Sequence, residues 1–217
     1  MNIKVNISEI STYAFCPRLL YFRLKFGDDD VTETHAAREI YLSKRKGFDN
    51  EWAFERFKQL YGESNAKIFA KAFENFKYNS ILDEFKPVEW EIKLESGKLK
   101  LKGILDEIVL FNGKELPLIL ALRKPEKDVW FKDLVKITAF CMLLDVNEGL
   151  VYYCFDGELK RVEVTRKEKY QVLKLIERVL KVRKGFVPER REGGKCNRCR
   201  YLEACNSEPS TFASKFL

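Results

Sequence analysis

The sequence predicts a mixed α/β fold, with a helical lobe first, a sheet with its own helices next, and a cysteine segment at the end. Three observations carry this prediction. Apolar residues recur at helical spacing through roughly the first 80 positions, then switch to strand-like alternation at Pro87. The order of patterns after that point is three strands, a helix, two strands and a helix, which builds a mixed sheet rather than a bundle or a sandwich. Four of the six cysteines lie at the two ends of the 217-residue chain, Cys16 near the start and Cys196, Cys199 and Cys205 in a C-x2-C-x5-C run near the end.

The elements follow in order. Residues 8–25 read as a helix with Ser8 as N-cap and an apolar stripe through Ile10, Tyr13, Phe15, Leu19 and Phe22, which Pro17 kinks or breaks beside Cys16. Gly27 and Asp28-Asp29-Asp30 make a loop. Residues 33–46 form a helix carrying His35, the only histidine, and ending in Lys44-Arg45-Lys46. Residues 50–79 form one or two helices. Their aromatic stripe through Trp52, Phe54, Phe57, Tyr61, Phe69, Phe73 and Phe76 reads as buried core, a base-stacking platform being the alternative. Residues 88–95 and 98–111 alternate around Ser96-Gly97 as a hairpin. Residues 117–123 are nearly all apolar, as in a strand covered on both faces. An amphipathic helix spans 128–145, a second hairpin joins 149–155 to 158–164 around Asp156-Gly157, and a basic helix runs over 166–184. No repeat or Pro/Gly linker divides the chain. We expect one unit over residues 1–217: a helical lobe (1–86), an α/β core (87–185) and a cysteine segment (186–217) joined to Cys16.

Composition narrows the function. With 46% hydrophobic and 34% charged residues the chain reads as globular, and it has no apolar run near the roughly 20 residues that span a bilayer. Ser8, Glu9, Ser11 and Thr12 interrupt any signal-peptide core, so a cytoplasmic location and no membrane partner are expected. A net charge of +7 and a pI near 9.0 suit a polyanion, most simply nucleic acid. In a reducing compartment, clustered thiols favour metal over disulfide. A C-x2-C turn points two thiolates at one centre, and Cys16 is the candidate fourth ligand. That donor set fits an iron–sulfur cluster or zinc, the alternative being unliganded or disulfide-bonded cysteines. Cys141 and Cys154 fall on apolar faces and read as core.

Ser8-Glu9-Ile10-Ser11, Cys16-Pro17-Arg18-Leu19-Leu20-Tyr21, Gly103-Ile104-Leu105-Asp106 and the terminal cysteine triplet together resemble the CRISPR-associated RecB-like exonucleases, the "Cas four" family. The resemblance spans nearly the whole chain in the right order. It implies a restriction-endonuclease-like, PD-(D/E)XK mixed sheet and a [4Fe–4S] cluster on Cys16, Cys196, Cys199 and Cys205. It also implies DNA as substrate, with the CRISPR integrase complex as partner during spacer acquisition. In that fold an Asp and a Glu on neighbouring strands hold Mg²⁺ or Mn²⁺, a His from the helical lobe adds a ligand, and the Lys of E-x-K activates the attacking water. Here the resemblance puts metal ligands at Asp106 and His35, and the catalytic positions at Asp106, Arg123 and Lys124.

The chain departs from the pattern where E-x-K should stand. The register gives Ala121-Leu122-Arg123, and Lys124 pairs in spacing with Leu122. Alanine cannot bind a metal, and arginine keeps a phosphate-binding charge but is a poor proton carrier. On the next helix the family's Gln and Tyr fall on Lys136 and Phe140. Cleavage is therefore expected to be weakened or lost, leaving an iron–sulfur DNA-binding protein. The alternative is an active exonuclease in which Asp133, Glu91 or Glu107 supplies the missing carboxylate. Candidate DNA contacts are Arg18, Lys136, Arg198 and Arg200, the last two in a basic run around the cysteines. A zinc-stabilised nucleic-acid protein outside CRISPR is a third reading.

Overall fold

The computed structural model describes residues 3–27 and 30–209. The expected acidic loop at Asp28-Asp29 and the last eight residues of the cysteine segment lie outside them. The chain opens with a short strand, β1 (Val5–Asn6), which the sequence reading did not foresee, and turns at once into α1 (Ile7–Phe15). The N-cap is Asn6, not Ser8: the Asn6 side chain accepts the Ser8 N–H, and Glu9 accepts the Asn6 N–H. The helix expected over 8–25 is two. Cys16 is extended (φ −157°, ψ 114°), and α2 (Pro17–Phe26) restarts with Pro17 at a position whose N–H has no helical partner. The break leaves Cys16 between the two helices, half-buried.

Helices α3 (Glu33–Lys46), α4 (Asn50–Tyr61) and α5 (Ala66–Asn75) complete the lobe. The aromatic stripe is largely core: Phe57 and Phe69 are buried with ring centroids 5.3 Å apart, while Phe73 remains exposed. Strands β2 (Lys86–Ser96), β3 (Leu101–Phe111) and β4 (Lys114–Ala121) follow, then α6 (Phe131–Leu144), β5 (Glu148–Tyr153), β6 (Glu158–Glu163), α7 (Arg166–Arg183) and the short α8 (Leu202–Ser207). Asn112 and Gly113, with φ of 48° and 74°, make the tight turn between β3 and β4.

The sheet runs β1-β3-β4-β5-β6, with β2 antiparallel to β3 on its other edge. The β4–β5 pair is parallel and is connected through α6; the β3–β4 and β5–β6 pairs are antiparallel. Both faces are covered, so β4 is apolar from Leu116 to Ala121 and β5 from Gly149 to Tyr153, as central strands require. Ile119, Ala121, Val151 and Tyr153 face α1, α6 and α7, whereas Leu118, Leu120, Leu150 and Tyr152 face α3, α4 and α5. Gly149 lets α6 lie close against β5, since a Cβ there would stand 2.6 Å from Ile137. Among the described residues no helix is long and apolar enough to cross a membrane.

Candidate nucleic-acid cleft and cysteine cavity

Asp106 sits where the sheet is irregular on both sides. On the β2 side, Trp90 pairs with Glu107 and Ile92 with Leu105, but the step between them, Glu91 opposite Asp106, makes no ladder pair. Glu91 takes a left-handed φ of 54°. On the β4 side the ladder ends at Glu107 and Leu118, and the Leu120 N–H bonds the Asp106 carboxylate at 2.8 Å instead of a carbonyl. These departures free the Asp106 side chain to sit between the helical layers.

One cation from each layer meets it there. Arg38 of α3 places Nε 2.7 Å from Oδ1, and Lys136 of α6 places Nζ 3.4 Å from Oδ2. Burial works to raise the Asp106 pKa, but Arg38, Lys136 and the Leu120 N–H together hold it below the ordinary aspartate value. For Lys136 burial dominates and lowers the pKa, with Asp106 opposing. The carboxylate is thus neutralised by the protein's own side chains. Arg38 is the residue the sequence reading missed; its signal was its place one helical turn after His35, on the same face.

The other expected site residues scatter. His35 completes the α3 capping box: its Nδ1 accepts the Thr32 N–H at 3.0 Å and its ring packs on Tyr61. Ala121 is buried in the core and ends β4, its carbonyl accepting the Cys154 N–H. Arg123 is exposed, its guanidinium over the Phe155 ring at 5.2 Å and bonded to Asn75. Lys124 is ion-paired with Glu158 of β6. None of the three substitute carboxylates joins Asp106 in a metal site. Glu107 is held by Arg45 (2.8 Å) and Tyr41 in a buried cluster, Glu91 pairs with Arg56, and Asp133 lies buried beside Tyr153. Among the described residues no three His, Cys, Asp or Glu side chains stand close enough to hold a metal ion. Mg²⁺ or Mn²⁺ does not fit a carboxylate already shared by two cations.

The same finding covers the four cysteines of the two chain ends, but these share one space. Cys16, Cys196, Cys199 and Cys205 all line one small cavity of about 30 Å³, with apolar Leu19, Phe22 and Leu202 between them. The thiols ring this space rather than meet at a point. Arg18 corrects the sequence reading: it is buried, not a DNA contact. Its Nε donates to the Pro188 carbonyl, and its Nη1 donates to those of Cys205 and Glu208, each at 2.8 Å. It ties α2 to the tail and lies 3.9 Å from the Cys205 Sγ. Arg200 is paired with Asp30 and stacks on Tyr201, while Arg198 is exposed. Cys141 and Cys154 are core, and burial pushes both thiols up to about 12.

This architecture is a mixed α/β fold of the restriction-endonuclease-like kind. A crystal structure described as "Putative exonuclease" from Eubacterium rectale superposes with a TM-score of 0.59 over 94% of this chain and 88% of that one; at 13% identity the likeness is one of fold. No family model matches the sequence. The chain is 44% identical over 213 residues to an "Uncharacterized protein" of Archaeoglobus fulgidus, covering 98% of this chain and 100% of that one, and it belongs to that protein's family.

Proposed function

We propose that this protein binds DNA on an exonuclease-like fold, carries a [4Fe–4S] cluster on Cys16, Cys196, Cys199 and Cys205, and does not cleave phosphodiester bonds. The observation that carries the loss of cleavage is the Asp106 carboxylate, shared by Arg38 and Lys136 with Ala121 at the end of the neighbouring strand. Two cations and one carboxylate attract phosphate and repel a divalent metal. Arg123, exposed past the end of β4 and over the Phe155 ring, adds a guanidinium suited to a phosphate oxygen. What supports the cluster is that the four thiols, from opposite ends of the chain, line one apolar cavity. When bound, such a cluster supplies a covalent staple between α2 and the tail. The chain's own residues do the rest: Arg18 holds the tail on α2, and the more exposed Arg38 and Arg123 offer the nucleic acid a binding face. The sequence resemblance to the CRISPR adaptation exonucleases extends this reading to DNA-end handling beside an integrase complex.

The test pairs a binding assay with a cleavage assay on anaerobically purified protein, using single- and double-stranded DNA with and without Mn²⁺. Salt-sensitive binding without cleavage is the expected result; Mn²⁺-dependent degradation lost in Asp106→Ala would overturn it. Iron and sulfide analysis tests the cluster, and zinc in their place refutes that part. Combining Ala121→Glu, Arg123→Lys and Lys136→Gln should create Mn²⁺ binding, because it restores a second carboxylate and removes the ammonium that now stands against Asp106.

A further inference from the structure

We propose that the cavity between α1, the start of α6, α7 and the tail is a subsite for one nucleotide of a single-stranded nucleic acid, base inside and phosphate at the rim. The proposal rests on the nucleic-acid reading above and adds a place outside the Asp106 ion group. The cavity measures about 180 Å³. This is many times the roughly 10–15 Å³ that a single water requires, so the space admits a group much larger than water.

The lining matches both halves of a nucleotide. Tyr13, Phe15, Phe131 and Phe186 bring aromatic rings to the walls. Phe15 and Phe131 are 42% and 45% exposed, an expense in apolar surface that a stacked base would relieve. Arg178, Arg191 and Lys195 stand around the same opening. Neither Arg178 nor Arg191 is ion-paired with a carboxylate among the described residues, and both lie near enough to Tyr13 to act electrostatically on its hydroxyl. Lys195 sits over the Phe15 ring and donates to the Phe15 carbonyl, so it fixes that wall. Against these three cations stands one carboxylate, Glu189, the acceptor suited to a base that presents an amino group.

Two connections set the cavity in context. Phe131 follows Trp130, whose indole N–H donates to the Arg123 carbonyl at 3.1 Å, which ties the wall that carries Phe131 to the segment after β4. On the other side, Phe15 and Pro17 flank Cys16, and Lys195 precedes Cys196, while Arg191 lines both this cavity and the cysteine cavity. The walls of the subsite are therefore positioned by the segments that carry the thiols. Only an unpaired base can enter such a recess, because duplex bases are stacked on one another.

The experiment is fluorescence anisotropy on the full chain with labelled eight-residue single-stranded DNA and RNA and an eight-base-pair duplex, plus free adenosine monophosphate as competitor. We expect Phe131→Ala to weaken single-strand binding about 5- to 150-fold, the range for loss of one stacked base, with duplex affinity unchanged. Arg178→Ala should weaken it and lower the salt slope by about 0.7 per lost phosphate contact. If single strands bind and both variants match the parent, the subsite is rejected while the nucleic-acid reading stands. If the monophosphate binds with the same Phe131 dependence but strands do not compete, the cavity serves a free nucleotide and the single-strand claim falls. If no nucleic acid binds even at low salt, the broader reading fails with it.

Discussion

Replacing Asp106 with alanine separates the internal ion group from a metal-binding carboxylate more sharply than any cleavage assay. The Asp106 side chain is 6% exposed and Lys136 is 14% exposed, so Asp106→Ala strands an ammonium in a nearly dry setting; Arg38, at 36%, can turn toward water. Removing one partner from a buried ion group costs about 3–5 kcal/mol, and the partial relief of Arg38 puts the expectation near the lower half of that range, about 3–4 kcal/mol. In a chain of this size that lowers Tm by about 6–16 °C.

The pH dependence has a definite sign. Asp106 has a folded pKa below its unfolded value of about 3.9, so its contribution is complete above that value and is lost as pH falls through the folded pKa. The gap between parent and variant should therefore stay open from pH 5 to 8 and close only below about 4. Lys136 has a folded pKa below its unfolded value of about 10.4, so raising the pH toward 10 favours the fold and should partly rescue the variant. Adding Lys136→Met should also recover at least about 1 kcal/mol. The assay is thermal melting by circular dichroism across pH, with and without Mn²⁺. An Asp106→Ala variant that melts with the parent, or a parent stabilised by Mn²⁺ through Asp106, would refute the reasoning.

Three further outcomes are expected. Arg18→Ala leaves three tail carbonyls without their donor and should cost about 2 kcal/mol or more, with early proteolysis in the tail; unchanged melting together with weaker DNA binding would return Arg18 to a surface role. Cys16→Ala should yield colourless, aggregation-prone protein, and an unaltered visible spectrum and iron content would contradict the cluster. Gly149→Ala drives a methyl against Ile137 and Cys141 and should destabilise by about 1–3 kcal/mol in chemical denaturation, whereas a neutral result would mean that α6 shifts freely on β5.

Much of the fold was legible because it is periodic. Residues 33–46, 166–184 and the two hairpins are read from spacing that depends only on each segment's own geometry. The split at Cys16 was half legible: Pro17 announced a break, but the capping by Asn6 and Glu9 needed coordinates. Strand β1, two residues long, carries no periodic signal and exists because it pairs with Leu101 and Lys102. The departures at Ala121 and Arg123 were plain from the register, yet nothing local to Asp106 disclosed its partners.

Determined by sequence alone were the element order, the basic character, the placement of four thiols at the two ends, and the absence of Glu and Lys at positions 121 and 123. Tertiary structure decided how charges and donors were spent: Arg38 and Lys136 on Asp106, Arg18 on the tail carbonyls, His35 on a helix cap. The physical reason is range. Hydrophobic alternation and capping are set within a few residues, whereas Arg18 reaches Pro188 across 170 positions and Asp106 meets cations from two separate helices, contacts that exist only once the layers have packed.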